Sequence, residues 1–536
     1  MRPLATALAS LATLALFGQR PTLPPVSEST LRAHLAFLSD DLLEGRGTGQ
    51  RGGDLAARYL ETQVQRMGLK PGNGTSFRQP VRINGVKALP EASQATFTGP
   101  KGSQGFAFGT EWLWSTGATQ ATLDLDAPLV FAGYGIVAPE EGWDDYAGLD
   151  AKGKVVVVLV NDPPPTAAEP ERFGGRSLTY YGRWTYKLEE ARRHGATGVL
   201  MVHTLASATY GFELVKASWG KERFQLQGEG NPLQGWLSEP ATRALFALGG
   251  QDFDALQQAA AVKGFRARPL GVQLRGHLTF AIRPVEQVNI AALVPGTDPV
   301  LQKEVVIYSA HYDHLGKGEG PGDQIWNGAI DNASGSAALL AMAEVALKAP
   351  GKRSQMFLWV CAEEQGLLGS EAYAQAPLWP LSKTVAALNL DSLNFSGPAR
   401  DIGLEGSERS GIFDLGESIA QSMGLKGRRM GVDAGGGYFR SDHFSFAKAG
   451  VPAFSVGGGA DFLQPEVSGP KAKAYGARYH QVTDEYDPTW DLSGMVTQAQ
   501  FALALGRALA DTATPPTWRA GDPFGEVQRR NRALGR

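Results

Sequence analysis

Two histidines and a set of acids carry the chemistry that this sequence can do: His311, Asp313, Asp331, Glu363, Glu364, Asp391 and His480. His311 and Asp313 lie in Ser309-Ala-His-Tyr-Asp-His-Leu-Gly316. In extended backbone, residues two apart share a face, so His311 has a carboxylate on its own side. A metal-bound imidazole needs such an acceptor for its second nitrogen. Each residue alone also has a plainer reading. His311 could be incidental in a polar loop, Asp331 a helix N-cap, and Glu363 and Glu364 a solvated pair. Asp391 is different, because it ends the apolar run Val385-Ala-Ala-Leu-Asn-Leu390 and should be buried, where a charge needs a partner. Several converging carboxylates repel one another unless cations lie between them. Imidazole and carboxylate without thiolate suit zinc ahead of manganese or cobalt. With two histidines and several acids, two ions sharing one carboxylate is the economical arrangement, the ions roughly 3.5–4 Å apart.

The elements that must position these residues read as alternating strands and helices. From residue 289 the pattern predicts strand 289–294, strand 304–310, helix 333–347, strand 355–361, helix 366–375, strand 384–391, helix 411–423, strand 452–456 and helix 492–511. Such alternation predicts an α/β fold with a mostly parallel sheet flanked by helices. In open α/β sheets the site lies at the carboxyl ends of strands, and His311, Glu363 and Asp391 fall there. Upstream, Ser27 or Ser29 caps an expected helix with an apolar face of Leu31, Leu35 and Leu38. His34 beside it reads as a packing or surface residue. A loop over 40–53 precedes a helix over 54–67, stopped by Gly68, and short strands follow to residue 131. From Leu129 the composition shifts. Val155-Val-Val-Val-Leu-Val160 has the continuous apolar character of a strand buried on both faces, followed by a helix over 185–194 and the strand Gly198-Val-Leu-Met-Val202. His194 and His203 have no ligand-like spacing, so this segment reads as a module without chemistry of its own.

The chain has 536 residues, 43% hydrophobic and 20% charged, with a formal net charge of −3. That length predicts two or three domains. The charge gives no electrostatic case for nucleic acid or an acidic membrane. The single cysteine, Cys361, excludes an intrachain disulfide and reads as a buried thiol in an apolar run. Arg2 followed by the apolar run from Leu4 to Phe17 and a Pro-rich stretch through Pro25 has the form of a secretory signal peptide. It is too short to span a bilayer well, and no later segment approaches ~18 uninterrupted apolar residues. A secreted or periplasmic protein without an integral membrane segment is expected; no feature selects an oligomeric state. The expected division is 1–25 signal peptide and linker, 26–128 and 266–515 catalytic domain, 129–265 an insert, and 516–536 a loosely packed tail.

The order His-x-Asp, Asp-Asn, Glu-Glu, Asp, His resembles the dizinc exopeptidases of metallopeptidase family twenty-eight, over roughly residues 286–512. Residues 129–265 resemble, on weaker motifs, a β-rich protease-associated (PA) domain. The family resemblance implies an aminopeptidase with two zinc ions and peptide substrates. It implies His311 and Asp391 on one zinc, Glu364 and His480 on the other, and Asp331 between them. Glu363 would be the general base, and Asp313 the partner of His311. His314 would be structural. Asp442 and His443, in Ser441-Asp-His-Phe444, would lie near substrate rather than on metal. The resemblance also implies a cis peptide between Asp331 and Asn332. A glutamate-carboxypeptidase-like enzyme would want basic groups aimed at a substrate carboxylate, for which Arg440 is the nearby candidate. A glutaminyl-cyclase-like transferase would hold one zinc. A receptor-like ectodomain would show broken ligand positions, and none of the five motifs is broken.

Overall fold

The computed structural model describes residues 23–536 except 209 and 229; the expected signal peptide lies, but for its last residues, outside the described residues. One sheet runs through the molecule. Its main path is, in order, Ala453–Ser455, Thr384–Asn389, Val305–His311, Ser354–Val360, Arg268–Val294, Thr122–Phe131, Val155–Leu159, Gly198–Val202, Leu233–Leu237 and Trp112–Ser115. The first four strands pair in parallel, as do Thr122–Phe131, Val155–Leu159, Gly198–Val202 and Leu233–Leu237. The fold is therefore mixed α/β with a mostly parallel central sheet, as the alternation of strands and helices requires.

The strand Arg268–Val294, 27 residues long, joins the two halves. Its far end pairs antiparallel with Ser354–Val360, Ile290 opposite Trp359. Its near end pairs antiparallel with Thr122–Phe131, Leu274 opposite Ala127. Val305–His311, Ser354–Val360 and Thr384–Asn389 are buried at every position, which is what helices on both faces of a parallel sheet produce. Tyr308, Trp359 and Leu388 face a core shared with the helices Ser334–Lys348 and Ser493–Asp511. Ile307, Leu358 and Ala387 face the opposite layer with Tyr373 and Phe446. Helix Ser493–Asp511 crosses this sheet at Gly506, where a Cβ would lie 2.1 Å from the Tyr308 hydroxyl.

In the second lobe alternate residues of Val155–Leu159 enter different cores: Val155, Val157 and Leu159 one, Val156 and Val158 the other. This lobe is wider than residues 129–265. Phe97, Trp112, Trp114 and Leu125 pack in the same core as Phe131 and Val157, and so do Leu274 and Phe280. The reason is pairing over distance: Gln94–Gly99 and Thr122–Phe131 both lie against Arg268–Val294, and Trp112–Ser115 closes the far edge on Leu233–Leu237. Local composition does not reveal these partners.

From residue 304 to 511 the expected elements are present within a residue or two of their predicted bounds; the strand at 289–294 is the end of a much longer one, and the helix expected over 54–67 begins at Arg51, inside the expected loop. His34 is buried, its Nδ1 2.8 Å from the Tyr59 hydroxyl, and Cys361 is buried. The end of the chain departs from the expected loose tail. Residues Pro523–Leu534 form a helix capped by the Asp522 carboxylate, which accepts from Phe524 N at 3.0 Å. Trp518 and Phe524 are buried against the catalytic core, and Trp518 Nε1 donates to Gly450 O at 3.1 Å. Two aromatic anchors outweigh an Arg-rich surface. Phe524→Ala is expected to destabilise the protein by about 3–5 kcal/mol, read as a lower urea midpoint; an unchanged midpoint would mean that the helix is not packed as described.

Candidate metal centre

Five side chains arrive from separate elements at one end of the parallel strands. His311 is the last residue of Val305–His311. Asp331 sits in the turn ahead of helix Ser334–Lys348. Glu364 follows strand Ser354–Val360, Asp391 follows Thr384–Asn389, and His480 follows helix Pro465–Arg478. The Asp331–Asn332 peptide is cis.

Asp331 stands between the two histidines with one oxygen toward each. His311 Nε2 lies 3.2 Å from Asp331 Oδ1 and 3.4 Å from Asp391 Oδ1. His480 Nε2 lies 3.2 Å from Asp331 Oδ2 and 3.1 Å from Glu364 Oε2. Both Nε2 atoms are buried and make no hydrogen bond to these oxygens. Two ligands about 2.0–2.1 Å from a common tetrahedral zinc stand roughly 3.3 Å apart. These spacings therefore fit ligands around a shared cation on each side of Asp331.

His314 also approaches the second position, within reach of Asp331 and Glu364. Its Nδ1 is 2.7 Å from Glu364 Oε1. That is hydrogen-bond length, short for two ligands on one tetrahedral ion. His314 thus aims Glu364, and His480 Nε2 is the imidazole nitrogen at ligand-like spacing from both Asp331 and Glu364.

The supporting contacts explain how so many acids stay together. The imidazole Nδ1 of His311 meets the backbone carbonyl of Asp313 at 3.1 Å, while the Asp313 carboxylate stands 3.8 Å off. That carboxylate instead accepts from the amides of Glu363 at 3.0 Å and Glu364 at 3.3 Å. So Asp313 is the partner of His311 through its main chain, and its side chain fixes the Glu-Glu turn. Ser441 Oγ donates to Asp391 Oδ2 at 2.5 Å. Asn332 donates to Leu390 O and accepts from Gly335 N, both at 2.9 Å. Gly328 leaves no room for a side chain: a Cβ there would lie 2.2 Å from Asp331 O and 2.5 Å from the His314 ring.

Electrostatics separate the two adjacent glutamates. Burial would raise Asp331, but the imidazoles of His311 and His480 outweigh it and hold the carboxyl well below the usual carboxylate range. Burial would likewise raise Glu364, and the histidine contacts reverse it. Glu363 goes the other way. Burial first, then Asp442, Glu364 and Asp391, push its carboxyl well up against the pull of His311. It lines the cavity with Glu364 and His480.

Asp442 and His443 do not take the expected place beside a substrate. They are 0% and 2% exposed and are absent from that cavity wall. His443 opens a helix, His443–Lys448, whose residues pack inward. Burial pushes the Asp442 carboxyl up to about 7 and the His443 imidazole down to about 4.

Two supporting residues went unnoticed in the sequence. Asp484, fully buried, accepts from the amides of Ile330 and Asp331, each at 3.1 Å. It is one of three acids within four positions of each other after His480, and nothing local singles it out. Arg46, 1% exposed, donates to the carbonyls of Tyr312 at 2.8 Å, Asn327 at 2.6 Å and Gly328 at 2.9 Å. It ties the loop after His311 to the loop before Asp331.

The five side chains fall within a segment that matches a known family. Residues 289–504 match the model of peptidase family M28, and that segment is a peptidase family M28 domain. An aminopeptidase of Pseudomonas aeruginosa is 31% identical over 217 residues, covering 38% of this chain and 38% of its own length. Leupeptin-inactivating enzyme 1 of Streptomyces exfoliatus is 28% identical over 44% of this chain and 52% of its own length. The chain thus spans about two fifths to half of these relatives. Among solved structures, an aminopeptidase from Aneurinibacillus sp. strain AM-1 aligns over 92% of this chain and 96% of its own, with TM-score 0.49 and 18% identity.

If Asp484 positions Asp331 through its amide, Asp484→Ala should weaken divalent-cation affinity by ~10–100-fold, measured by chelator competition. Unchanged affinity in a folded variant would remove that role.

Proposed function

We propose that this chain is a zinc-dependent aminopeptidase that removes N-terminal residues from peptides. The observation that carries this reading is the Asp331 carboxylate, with one oxygen 3.2 Å from each of two otherwise unpartnered histidine nitrogens. Two zinc ions would be held there, one by His311, Asp391 and Asp331, the other by Glu364, His480 and Asp331. When bound, zinc polarises a carbonyl oxygen and acidifies a water toward neutrality. Glu363 is the proton carrier. Among the described residues no group hydrogen-bonds its carboxylate, which leaves it open to the attacking water. From there it would take that water's proton and hand it on to the leaving amine. Glu364 is held by His314 and has no such freedom.

The second lobe is the PA-like insert of this reading. It contributes Arg183, Trp184 and Thr185 to the cavity wall opposite Glu363 and His480, which supports a role in narrowing the approach. Export follows from the N-terminal apolar run. Among the described residues no helix is long and apolar enough to cross a membrane.

The reading is tested first with leucine p-nitroanilide against an N-acetylated peptide, with and without chelator. Cleavage of the former alone, lost on chelation, is expected; preference for the blocked peptide would contradict it. Asp331→Asn should lose zinc as well as turnover, and two zincs at full occupancy in that variant would rule out a shared ligand. Glu363→Ala should keep its metal and lose ~10²-fold or more in kcat, whereas Glu364→Ala should lose metal. Equal metal content in these two variants would refute the division of roles.

A further inference from the structure

Two cations face the cavity of the metal centre without an anion. Arg183, from the second lobe, and Arg440, from the catalytic domain, line the same cavity as Glu363, Glu364 and His480. Both, with Trp184, also line an adjoining cavity of about 500 Å³. Its further walls include Leu214, Trp219 and Trp236.

Apart from the acids of the metal centre, the other charges nearby are engaged. Glu189 pairs with Lys448 at 2.9 Å, and Glu371 lies 4.0 Å from the same ammonium. Asp433, the acid that acts on Arg183, accepts from the amides of Gly437 at 2.8 Å and Tyr438 at 3.1 Å. Among the described residues neither Arg183 nor Arg440 has an ion pair or a side-chain hydrogen bond, and Arg183 Nε is buried with no partner. Burial, and after it the like charge of Arg440, pull the Arg183 guanidinium down to about 10. Helix Trp184–Arg193 starts on this wall with no side-chain cap, so its positive end adds to the field. Two guanidinium groups that line one cavity and lie close enough to feel each other's charge are suited to a carboxylate, which they can bind by charge-assisted, bidentate hydrogen bonds.

We infer that Arg183 and Arg440 form a subsite for the free C-terminal carboxylate of a short peptide, whose bulky apolar C-terminal side chain enters the tryptophan-lined cavity. The aromatic rings on that wall decide between two sources of carboxylate: an acidic side chain would leave Trp184, Trp219 and Trp236 without a partner. This inference rests on the aminopeptidase reading and names its substrate class.

The test uses the full chain loaded with zinc, as wild type, Arg440→Gln and Arg183→Gln. The substrates are leucyl-phenylalanine, its C-terminal amide, and leucyl-glutamate α-amide. Wild type should favour the free acid over its amide by ~10-fold or more in kcat/KM, and in Arg440→Gln the ratio should fall to within about twofold. Equal wild-type rates on acid and amide would overturn the subsite. So would variants that lose rate on all substrates alike at an unchanged ratio, because that is a structural effect. A wild-type preference for the glutamate amide over leucyl-phenylalanine would overturn the C-terminal assignment. Calorimetry of N-acetylphenylalanine against its amide reads the subsite without turnover. Tighter binding of the acid, lost in Arg440→Gln, upholds the subsite even if no peptide is cleaved, an outcome that would sink the aminopeptidase reading alone. No preference for the acid overturns the subsite.

Discussion

The structure depends on a buried carboxylate that must be shared. Asp331 is 4% exposed and stands among Glu364, Asp391 and two histidines within 3.4 Å of one another's ligand atoms along the chain of contacts. Charges so placed are expensive in a low-dielectric interior unless they are paired. Imidazoles alone supply part of the compensation. The orientation of the nitrogens, toward the oxygens yet out of hydrogen-bond geometry, suits donors to bound zinc, which would supply the remainder.

Holding Asp331 in that pose requires the loops around it to be rigid. Asp484 takes the two amides leading into it, and Asn332 ties the following turn to Leu390 and so to the strand that delivers Asp391. Arg46 lies beneath and joins the loops on either side through their carbonyls. A guanidinium does this better than an ammonium because its donors are fixed in a plane. The same economy appears at Asp313, where one residue uses its carbonyl for His311 and its carboxylate for the amides of Glu363 and Glu364. Glu363 and Glu364 are thereby set in register by a single side chain.

Much of this was legible in the sequence, and the reason is physical. Val305–His311, Ser354–Val360 and Thr384–Asn389 are buried throughout and largely apolar because they are covered on both faces, so the ionisable residues that end or follow each mark the site. His311, Glu363, Glu364 and Asp391 were found that way. What was not legible depends on partners far along the chain. The second lobe reaches back to Phe97 because strands pair with Arg268–Val294 across more than a hundred residues. Asp484 and Arg46 matter for the backbone atoms they meet, which no spacing rule encodes. Asp442 and His443 are expected near substrate only through the family resemblance of Ser441-Asp-His-Phe444, and their helix turns them inward. Arg183 was hidden by lying in a lobe that carries no chemistry of its own.

The central claim, that Asp331 joins two metal positions, is open to one direct measurement. Crystals of the zinc-loaded protein, measured at the zinc absorption edge, should give two anomalous peaks roughly 3.5–4 Å apart. One should lie against His311 and Asp391, the other against His480 and Glu364, with the Asp331 carboxylate between. A single peak at full zinc loading, or a second peak that Asp331 does not touch, would contradict it.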